Sequence, residues 1–209
     1  AQSAGLLEIN VEELGADMLA FAGHKGLCGP PGIGGLYVAP HVDLRTLAEG
    51  GTGGDSGEHG LSHKLPSGYE VGTHNLPAIA GLAAGIEWVE ATGLDKIRAH
   101  ERKLAGRFIE GVEKIPGVKV YGTRDLDART GVVSLTMDGI TPKELARWLA
   151  EEHQITTRAG YHCAPLSHET IGTLPGDGTT RFGFGYFNTP QEVATVLKCL
   201  AHVPRAVCA

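Results

Sequence analysis

The chain has 209 residues, of which 42% are hydrophobic and 20% charged, enough to build one large or two small domains around real cores. Its formal net charge is −6, so neither nucleic acid nor an anionic membrane surface is an expected partner. No apolar run approaches the roughly 20 residues of a membrane span, and the N-terminus lacks a basic segment followed by an apolar one. We therefore expect a cytoplasmic protein.

Glycine and cysteine are unevenly distributed. Of the 31 glycines, many are bunched in residues 28–35 and 49–57, where positive φ or close approach to a ligand is expected, so both segments are candidate binding loops. The cysteines form no C-x-x-C pair, which argues against a disulfide framework and is compatible with a working thiol; they are Cys28, Cys163, Cys199 and Cys208. Because the chain begins AQSAG, without methionine, we expect a truncated or processed form.

Two buried strands and a helix are predicted in the first part of the chain. Residues 17–23 (DMLAFAG) and 34–39 (GGLYVA) are short apolar runs typical of buried strands. The loop between them begins with a histidine and Lys25, which places the lysine at a strand end, where open α/β sheets bind ligands. Residues 40–74 are predicted to be loop-rich, and a helix follows over 78–93, with proline at its start and glycine at its end.

The remainder of the chain is predicted to form a small α+β domain. Apolar residues recur with a period near 3.6 from residue 94 to 115, which indicates an amphipathic helix that connects two domains. The further elements are strands over 118–122, 131–137, 154–160 and 179–188, and helices over 142–152 and 191–203. Strands and helices mixed in this order indicate an α+β domain.

The first candidate site is the histidine-lysine pair at His24 and Lys25. A lysine amine can form a Schiff base with an aldehyde when its surroundings favour the neutral form. The glycines that follow allow backbone N–H groups to approach a phosphate. On these residues alone, an ordinary exposed lysine in a turn is the more frequent case.

The second candidate site is the segment TRAGYHCAP, which contains Arg158 and Cys163. A positive neighbour favours the thiolate, which is the nucleophilic form of cysteine. The alternative, a buried structural cysteine, is more frequent in proteins. No metal site is expected from Cys163 with His162 and His168, because ligands crowded on one short segment give poor tetrahedral geometry.

Two further positions suit anion binding. Arg181 carries a guanidinium that can pair with both oxygens of a carboxylate, and the alternative is an arginine in a surface strand. Thr73 precedes a predicted helix, whose N-terminal dipole favours anions. Thr73 and Asn75 are alternatively helix-capping residues, and Asn188 and Thr189 are expected to start the last helix.

Taken in order, these segments resemble the class V aminotransferase-like enzymes that use pyridoxal phosphate (PLP), in particular the cysteine desulfurases and selenocysteine lyases. FAGHKGLCGPPGIGGLYV (21–38) is similar to the family's S-G-H-K followed by G-P-x-G-x-G-x-L-Y. The resemblance implies that Lys25 binds PLP covalently and moves protons, and that His24 contacts its phosphate. Ala22 departs from the family's phosphate-binding serine, which implies weaker phosphate binding or compensation elsewhere. The opening Ala-Gln resembles the end of a D-x-A-Q element, so Gln2 is implied to meet the phenolic oxygen of PLP.

The later motifs resemble the same family. TRAGYHCAP is similar to R-x-G-x-H-C-A, which implies that Cys163 attacks the substrate sulfur and retains it as a persulfide, while Arg158 helps to hold the active site. TTRFGFGYFNTPQEV is similar to R-x-S-x-x-x-Y-N-T-x-x-E-V/I, so Arg181 is implied to bind the substrate carboxylate. YEVGTHN is similar to E-x-G-T-x-N, which implies that Thr73 reaches the phosphate held by the neighbouring subunit.

The resemblance covers essentially the whole chain and implies an α/β protein of PLP fold type I. Residues 1–93 are expected to be the C-terminal part of the PLP-binding large domain, and 94–209 a connector helix and a small C-terminal α+β domain. The implied protein is a homodimer that converts L-cysteine to L-alanine, or selenocysteine likewise, and passes sulfur to an acceptor protein. A transaminase or other PLP lyase in which Cys163 is incidental remains open, as does an inert fragment or dimerisation module. Without the preceding part of the large domain, the chain as given is expected to be inactive.

Overall fold

The computed structural model describes residues 1–51 and 66–204, and the chain divides into two compact units, Ala1–Leu94 and Asp95–Ala209. The predicted glycine loop at 49–57 and Cys208 therefore lie largely or wholly outside the described residues. Within the described ranges, no helix has both the length and the apolar character needed to cross a membrane.

The first unit contains a two-stranded antiparallel sheet and one long helix. Strands β1 (Met18–Ala22) and β2 (Gly34–Val38) pair with Met18 opposite Val38 and Ala22 opposite Gly34, which confirms a strand in both predicted segments. Their predicted burial is wrong, since among the described residues the two strands pair only with each other and neither contains a buried residue. A short 3-10 helix spans Ser67–Tyr69. Helix α1 (Leu76–Thr92) begins two residues earlier than predicted, because the Asn75 side chain accepts a hydrogen bond from the backbone N–H of Ala78 and so caps the helix.

The second unit contains a four-stranded antiparallel sheet and the remaining helices. The elements of this unit, in chain order, are α2 (Leu94–Val112), β3 (Val118–Tyr121), β4 (Val132–Met137), α3 (Pro142–His153), β5 (Arg158–Gly160), α4 (Pro165–Thr170), β6 (Thr179–Gly183) and α5 (Pro190–Leu200). The sheet has the order β3-β4-β6-β5, and two short 3-10 helices span Leu126–Ala128 and Leu174–Gly176.

The core of the second unit lies between its sheet and helices α2, α3 and α5. The predicted period of α2 directs Leu104, Phe108 and Val112 inward, and all three are fully buried. The Phe108 ring packs against those of Phe182 and Phe184, with ring centroids 4.7 and 5.1 Å apart. Helices α3 and α5 both begin with a capping box in which a threonine and a glutamate satisfy each other's backbone N–H groups.

Two predicted strands in this unit are shorter in the structure, and one helix was not predicted. The strand predicted over 154–160 is formed only by Arg158–Gly160, because Gln154 adopts a left-handed conformation that ends α3. The strand predicted over 179–188 ends at Gly183, after which Asn188 closes a turn by bonding to the backbone of Gly185. Helix α4 was not predicted, since six residues are too few to show a helical period.

Candidate functional site

Lys25 lies in the loop that follows β1. The Cys28 N–H donates to the Lys25 carbonyl at 2.9 Å and the Gly29 N–H to the Gly23 carbonyl at 2.8 Å, so the backbone turns tightly around the lysine. The Lys25 side chain is partly buried, and His24 beside it is exposed. The loop therefore presents an amine and an imidazole next to each other at the carboxyl end of a strand.

The N-terminal segment packs against this loop through two glycines. A Cβ on Gly5 would lie 2.2 Å from the carbonyl carbon of Gly26, and a Cβ on Gly26 would lie 2.6 Å from the carbonyl oxygen of Ala4. Only glycine permits this backbone-to-backbone approach. Gln2, which is exposed three residues before Gly5, is thereby kept on the segment that contacts the loop of Lys25.

Helix α1 contacts the same loop from another direction. A Cβ on Gly85 would lie 2.4 Å from the carbonyl oxygen of Leu27, and a Cβ on Gly29 would lie 2.8 Å from the side chain of Leu82. The loop is therefore held between the N-terminal segment and α1 by contacts that a side chain at these glycines would block. This packing gives Lys25 a defined position within the first unit.

Thr73 lies two residues before the N-cap of α1 and is exposed. Of the two capping residues considered for this segment, Asn75 caps the helix and Thr73 does not. A phosphate-binding role for Thr73 stays a prediction.

Cys163 lies at the tip of a tight turn after β5, and its side chain is exposed. The Ala164 N–H donates to the Tyr161 carbonyl at 2.8 Å, and the two central residues, His162 and Cys163, have φ values of 52° and 64°. Positive φ at both central positions is the pattern of a type I′ turn, which favours glycine and asparagine. Each non-glycine residue in this region costs roughly 1–2 kcal/mol, so other contacts must stabilise the turn.

Contacts to the segment before β6 stabilise the base of this turn. A Cβ on Gly178 would lie 2.2 Å from the carbonyl oxygen of Gly160, so the two chain segments touch backbone to backbone. The His162 ring Nε2 lies 3.1 Å from the carbonyl oxygen and 3.2 Å from Oγ1 of Thr179, which is fully buried. The Tyr161 hydroxyl lies 3.3 Å from the carboxylate of Asp177.

The two predicted arginines lie beside the thiol. Arg158 and Arg181 are direct partners across the β5–β6 pair, and the Arg158 Nη2 donates to Cys163 Sγ at 3.1 Å. The pKa of Arg181 is lowered, first by burial and then by the charge of Arg158, whereas Cys163 acts in the opposite direction. Within the described part of the chain, neither guanidinium pairs with a carboxylate. The predicted Arg158, Cys163 and Arg181 thus form one cationic site around a thiol.

His162 is neutral in this site. Burial, followed by the charges of Arg181, His168 and Arg158, lowers its pKa to about 4. A proton on Nε2 satisfies the Thr179 carbonyl oxygen, which can only accept a hydrogen bond, whereas the Thr179 hydroxyl can donate or accept. Its Nδ1 is buried and has no hydrogen-bond partner among the described residues.

The sequence motifs did not indicate the residues that support the Cys163 turn. Thr179 lies two residues before the matched Arg181, and no role was predicted for it. The buried pair His168 and Thr173, whose Nδ1 and Oγ1 lie 2.7 Å apart, matches no motif. The His162 and His168 rings pack with centroids 5.5 Å apart, so the two histidines make structural contacts here. Among the described residues no group of three potential ligands could hold a metal ion.

Comparison with known proteins gives the family. A model of the family described as aminotransferase class-V matches residues 1–196. The chain belongs to this family. The class V relatives include a probable cysteine desulfurase of Pyrococcus abyssi, which is 40% identical over 214 residues and aligns with 99% of this chain and 51% of its own length.

Solved structures of class V relatives have the same fold. The apo cysteine desulfurase of Thermococcus onnurineus NA1 is 38% identical, with a TM-score of 0.79 over 96% of this chain and 50% of that one. A cysteine desulfurase of Escherichia coli is 26% identical, with a TM-score of 0.80 over 96% and 49%. The predicted fold type I class is confirmed, and the chain spans about half the length of the relatives it matches.

Proposed function

We propose that the protein containing this chain is a PLP-dependent cysteine desulfurase that converts L-cysteine to L-alanine and retains the sulfur on Cys163 as a persulfide. The observation that carries the proposal is the contact of Cys163 Sγ with Arg158, next to Arg181, at a site without a carboxylate partner among the described residues. The relatives named cysteine desulfurase support the same reaction.

The first unit carries the groups that suit PLP. An amine at Lys25, an imidazole at His24 and an amide at Gln2 occur on one loop and on the segment packed against it, which is a fitting donor set for an aldehyde, a phosphate and a phenolic oxygen. When bound, PLP supplies an electron sink that labilises bonds at the substrate α and β carbons. We propose that Lys25 holds it covalently and moves protons, and that Thr73 contributes to phosphate binding. We also propose that residues 1–93 belong to the PLP-binding large domain and 94–209 to the connector helix and small domain.

The second unit carries the groups that act on the substrate. Arg181 is partly buried in the sheet, and its planar guanidinium suits the carboxylate of an amino acid. Arg158 donates to Cys163 Sγ and so stabilises negative charge on the sulfur that attacks. The exposure of Cys163 then allows the persulfide to be passed on to an acceptor protein in the cytoplasm. The proposed assembly is a homodimer.

The proposed reaction is tested by following alanine formation from L-cysteine with the complete protein. Cys163→Ala should abolish it, because Cys163 is the thiol that meets Arg158 beside Arg181, whereas Cys199→Ala on α5 should retain it. Alanine formation that persists in Cys163→Ala would favour a transaminase or another PLP lyase. The same assay with selenocysteine measures the preference for selenium.

The cofactor lysine is tested separately. Borohydride reduction of the complete protein after incubation with PLP, followed by peptide mapping, should place the label on Lys25. Lys25→Ala should lose the label, and Lys96→Ala on α2 should keep it. Label on Lys64 or on any other lysine would contradict the assignment.

A further inference from the structure

Two side chains of the turn that presents Cys163 contact the sheet of the second unit: Cys163 itself, which meets Arg158 of β5, and His162. The ring Nε2–H donates to the carbonyl oxygen of Thr179, the first residue of β6. Thr179 is fully buried, so the acceptor is part of the rigid sheet. The His162 side chain therefore connects the middle of the turn to the buried first residue of β6.

We propose that His162 is a positioning residue for Cys163: by donating Nε2–H to Thr179, it holds the left-handed turn in which the thiol meets Arg158. This role deepens the proposed function, because it concerns the thiol proposed to accept sulfur. The same role affects the intrinsic reactivity of the Cys163 thiol, which can be measured without enzyme turnover.

The backbone conformation explains why such a residue is required. His162 and Cys163 both have positive φ, a region that side chains other than glycine rarely occupy. Released from Thr179, the two residues would return to the preferred negative φ, and Cys163 would no longer meet the Arg158 guanidinium at 3.1 Å. The Tyr161 hydroxyl contacts the Leu174 carbonyl and the Asp177 carboxylate. These contacts restrain Tyr161, which precedes the two central residues, and do not fix the dihedral angles of His162 and Cys163.

The surroundings of the ring favour the one tautomer that can do this. Nδ1 is buried without a partner among the described residues, so a proton on that atom would be an unsatisfied buried donor. Burial of the ring, followed by the charges of Arg181, His168 and Arg158, disfavours a second proton on it. The neutral ring with its proton on Nε2 is the form that both donates to Thr179 and avoids an unsatisfied donor at Nδ1.

The test compares two variants of the 209-residue chain by the rate at which iodoacetamide labels Cys163, measured by peptide mapping. Cys28, which is exposed in the first unit, is the reference thiol in the same sample. His162→Ala should lower the Cys163 rate relative to Cys28 by about fivefold or more, since thiolate reactivity depends on the cationic contact. His162→Gln should restore it to within about twofold, because its amide N–H lies as many bonds from Cα as Nε2.

The matched control is Gln154→Ala, which removes another side chain at positive φ, at the C-terminal end of α3 and outside the Cys163 turn. It should leave the ratio unchanged. An unchanged ratio in His162→Ala, or equal loss in the Gln and Ala variants, would overturn the proposal. If His162→Ala fails to fold, the unaltered chain decides: nitrogen-15 spectra should show the proton of His162 on Nε2, and a proton on Nδ1 would overturn the proposal.

Discussion

Ala22 ends β1 immediately before the loop of Lys25, at the position where the class V motif has a phosphate-binding serine. A hydroxyl donor to a phosphate is worth roughly 1.5–3 kcal/mol. Ala22→Ser should therefore tighten PLP binding to the complete protein by about 10- to 100-fold, measured by titration of the absorbance of the bound cofactor. Ala20→Ser adds the same hydroxyl two residues earlier on the same face of β1 and should not change the affinity. Equal effects of the two variants would contradict the interpretation of Ala22.

Arg181 differs from a lysine at this position in its ability to pair with two carboxylate oxygens at once. Arg181→Lys should raise KM for L-cysteine and lower kcat/KM by about 10- to 100-fold, which corresponds to the loss of one charge-assisted hydrogen bond. The measurement is steady-state alanine formation by the complete protein. Arg147→Lys, exposed on α3, is the matched control and should be neutral. Unchanged kinetics in Arg181→Lys would show that the carboxylate binds elsewhere.

Among the secondary-structure elements, β4 is preceded by a glycine that touches the backbone beyond β6. A Cβ on Gly131 would lie 1.9 Å from the carbonyl oxygen of Phe184, and the Phe184 N–H donates to the Gly131 carbonyl at 2.7 Å. Gly131→Ala should therefore lower the free energy of unfolding by about 1–3 kcal/mol or more, measured by urea denaturation. Gly183→Ala places the same methyl group in open space on β6 and should have little effect. A neutral Gly131→Ala would show that the two segments separate easily.

The elements with strong local signals were predictable from the sequence, and the contacts between elements were not. Period and capping residues located α2, α3 and α5, because these signals lie within each helix. The motifs predicted Arg158, Cys163 and Arg181 as site residues, but their meeting depends on the register of β5 with β6. The bond between His162 and Thr179 joins residues 17 positions apart, and no local pattern predicts such a contact.

For the whole molecule, His162 is one group through which stability depends on pH. Its pKa is about 4 in the folded chain and about 6.5 when unfolded, so the unfolded state binds more protons between these values. Stability from this group is complete above pH 6.5 and is lost as pH falls toward 4. Burial raises the pKa of Glu101, so this carboxyl favours the folded state as pH falls. Hydrogen bonds from Thr141 and Thr189 lower the pKa of Glu144 and Glu192, so the stability that these two carboxylates contribute is lost as pH falls, at lower pH than that of His162.

The contribution of His162 can be isolated with a side chain that does not titrate. Between pH 7.5 and 5, the free energy of unfolding of the wild type should fall by about 1 kcal/mol more than that of His162→Gln, after allowance for solvent screening of the partly exposed ring. Urea denaturation of both chains at the two pH values measures the difference. Parallel pH profiles would contradict the lowered pKa.

The first unit exposes apolar surface on both faces of its two-stranded sheet. Met18 and Leu36 are 52% and 56% exposed on one face, while Leu19, Phe21 and Tyr37 line a groove of about 370 Å³ on the other. Among the described residues β1 and β2 pair only with each other, so each strand has a free edge, and free edges with apolar faces promote association.

The 209-residue chain should therefore self-associate as its concentration rises, which sedimentation velocity at about 1–100 μM can detect. Leu36→Lys places a charge on β2 and should shift the distribution toward monomer, because a lysine on an exposed edge strand opposes pairing with another chain. Leu47→Lys makes the same change at a leucine that is fully exposed in the loop after β2, and should leave the distribution as in the wild type. If both variants dissociate equally, added net charge is responsible, and if neither does, the sheet of the first unit is not the associating surface.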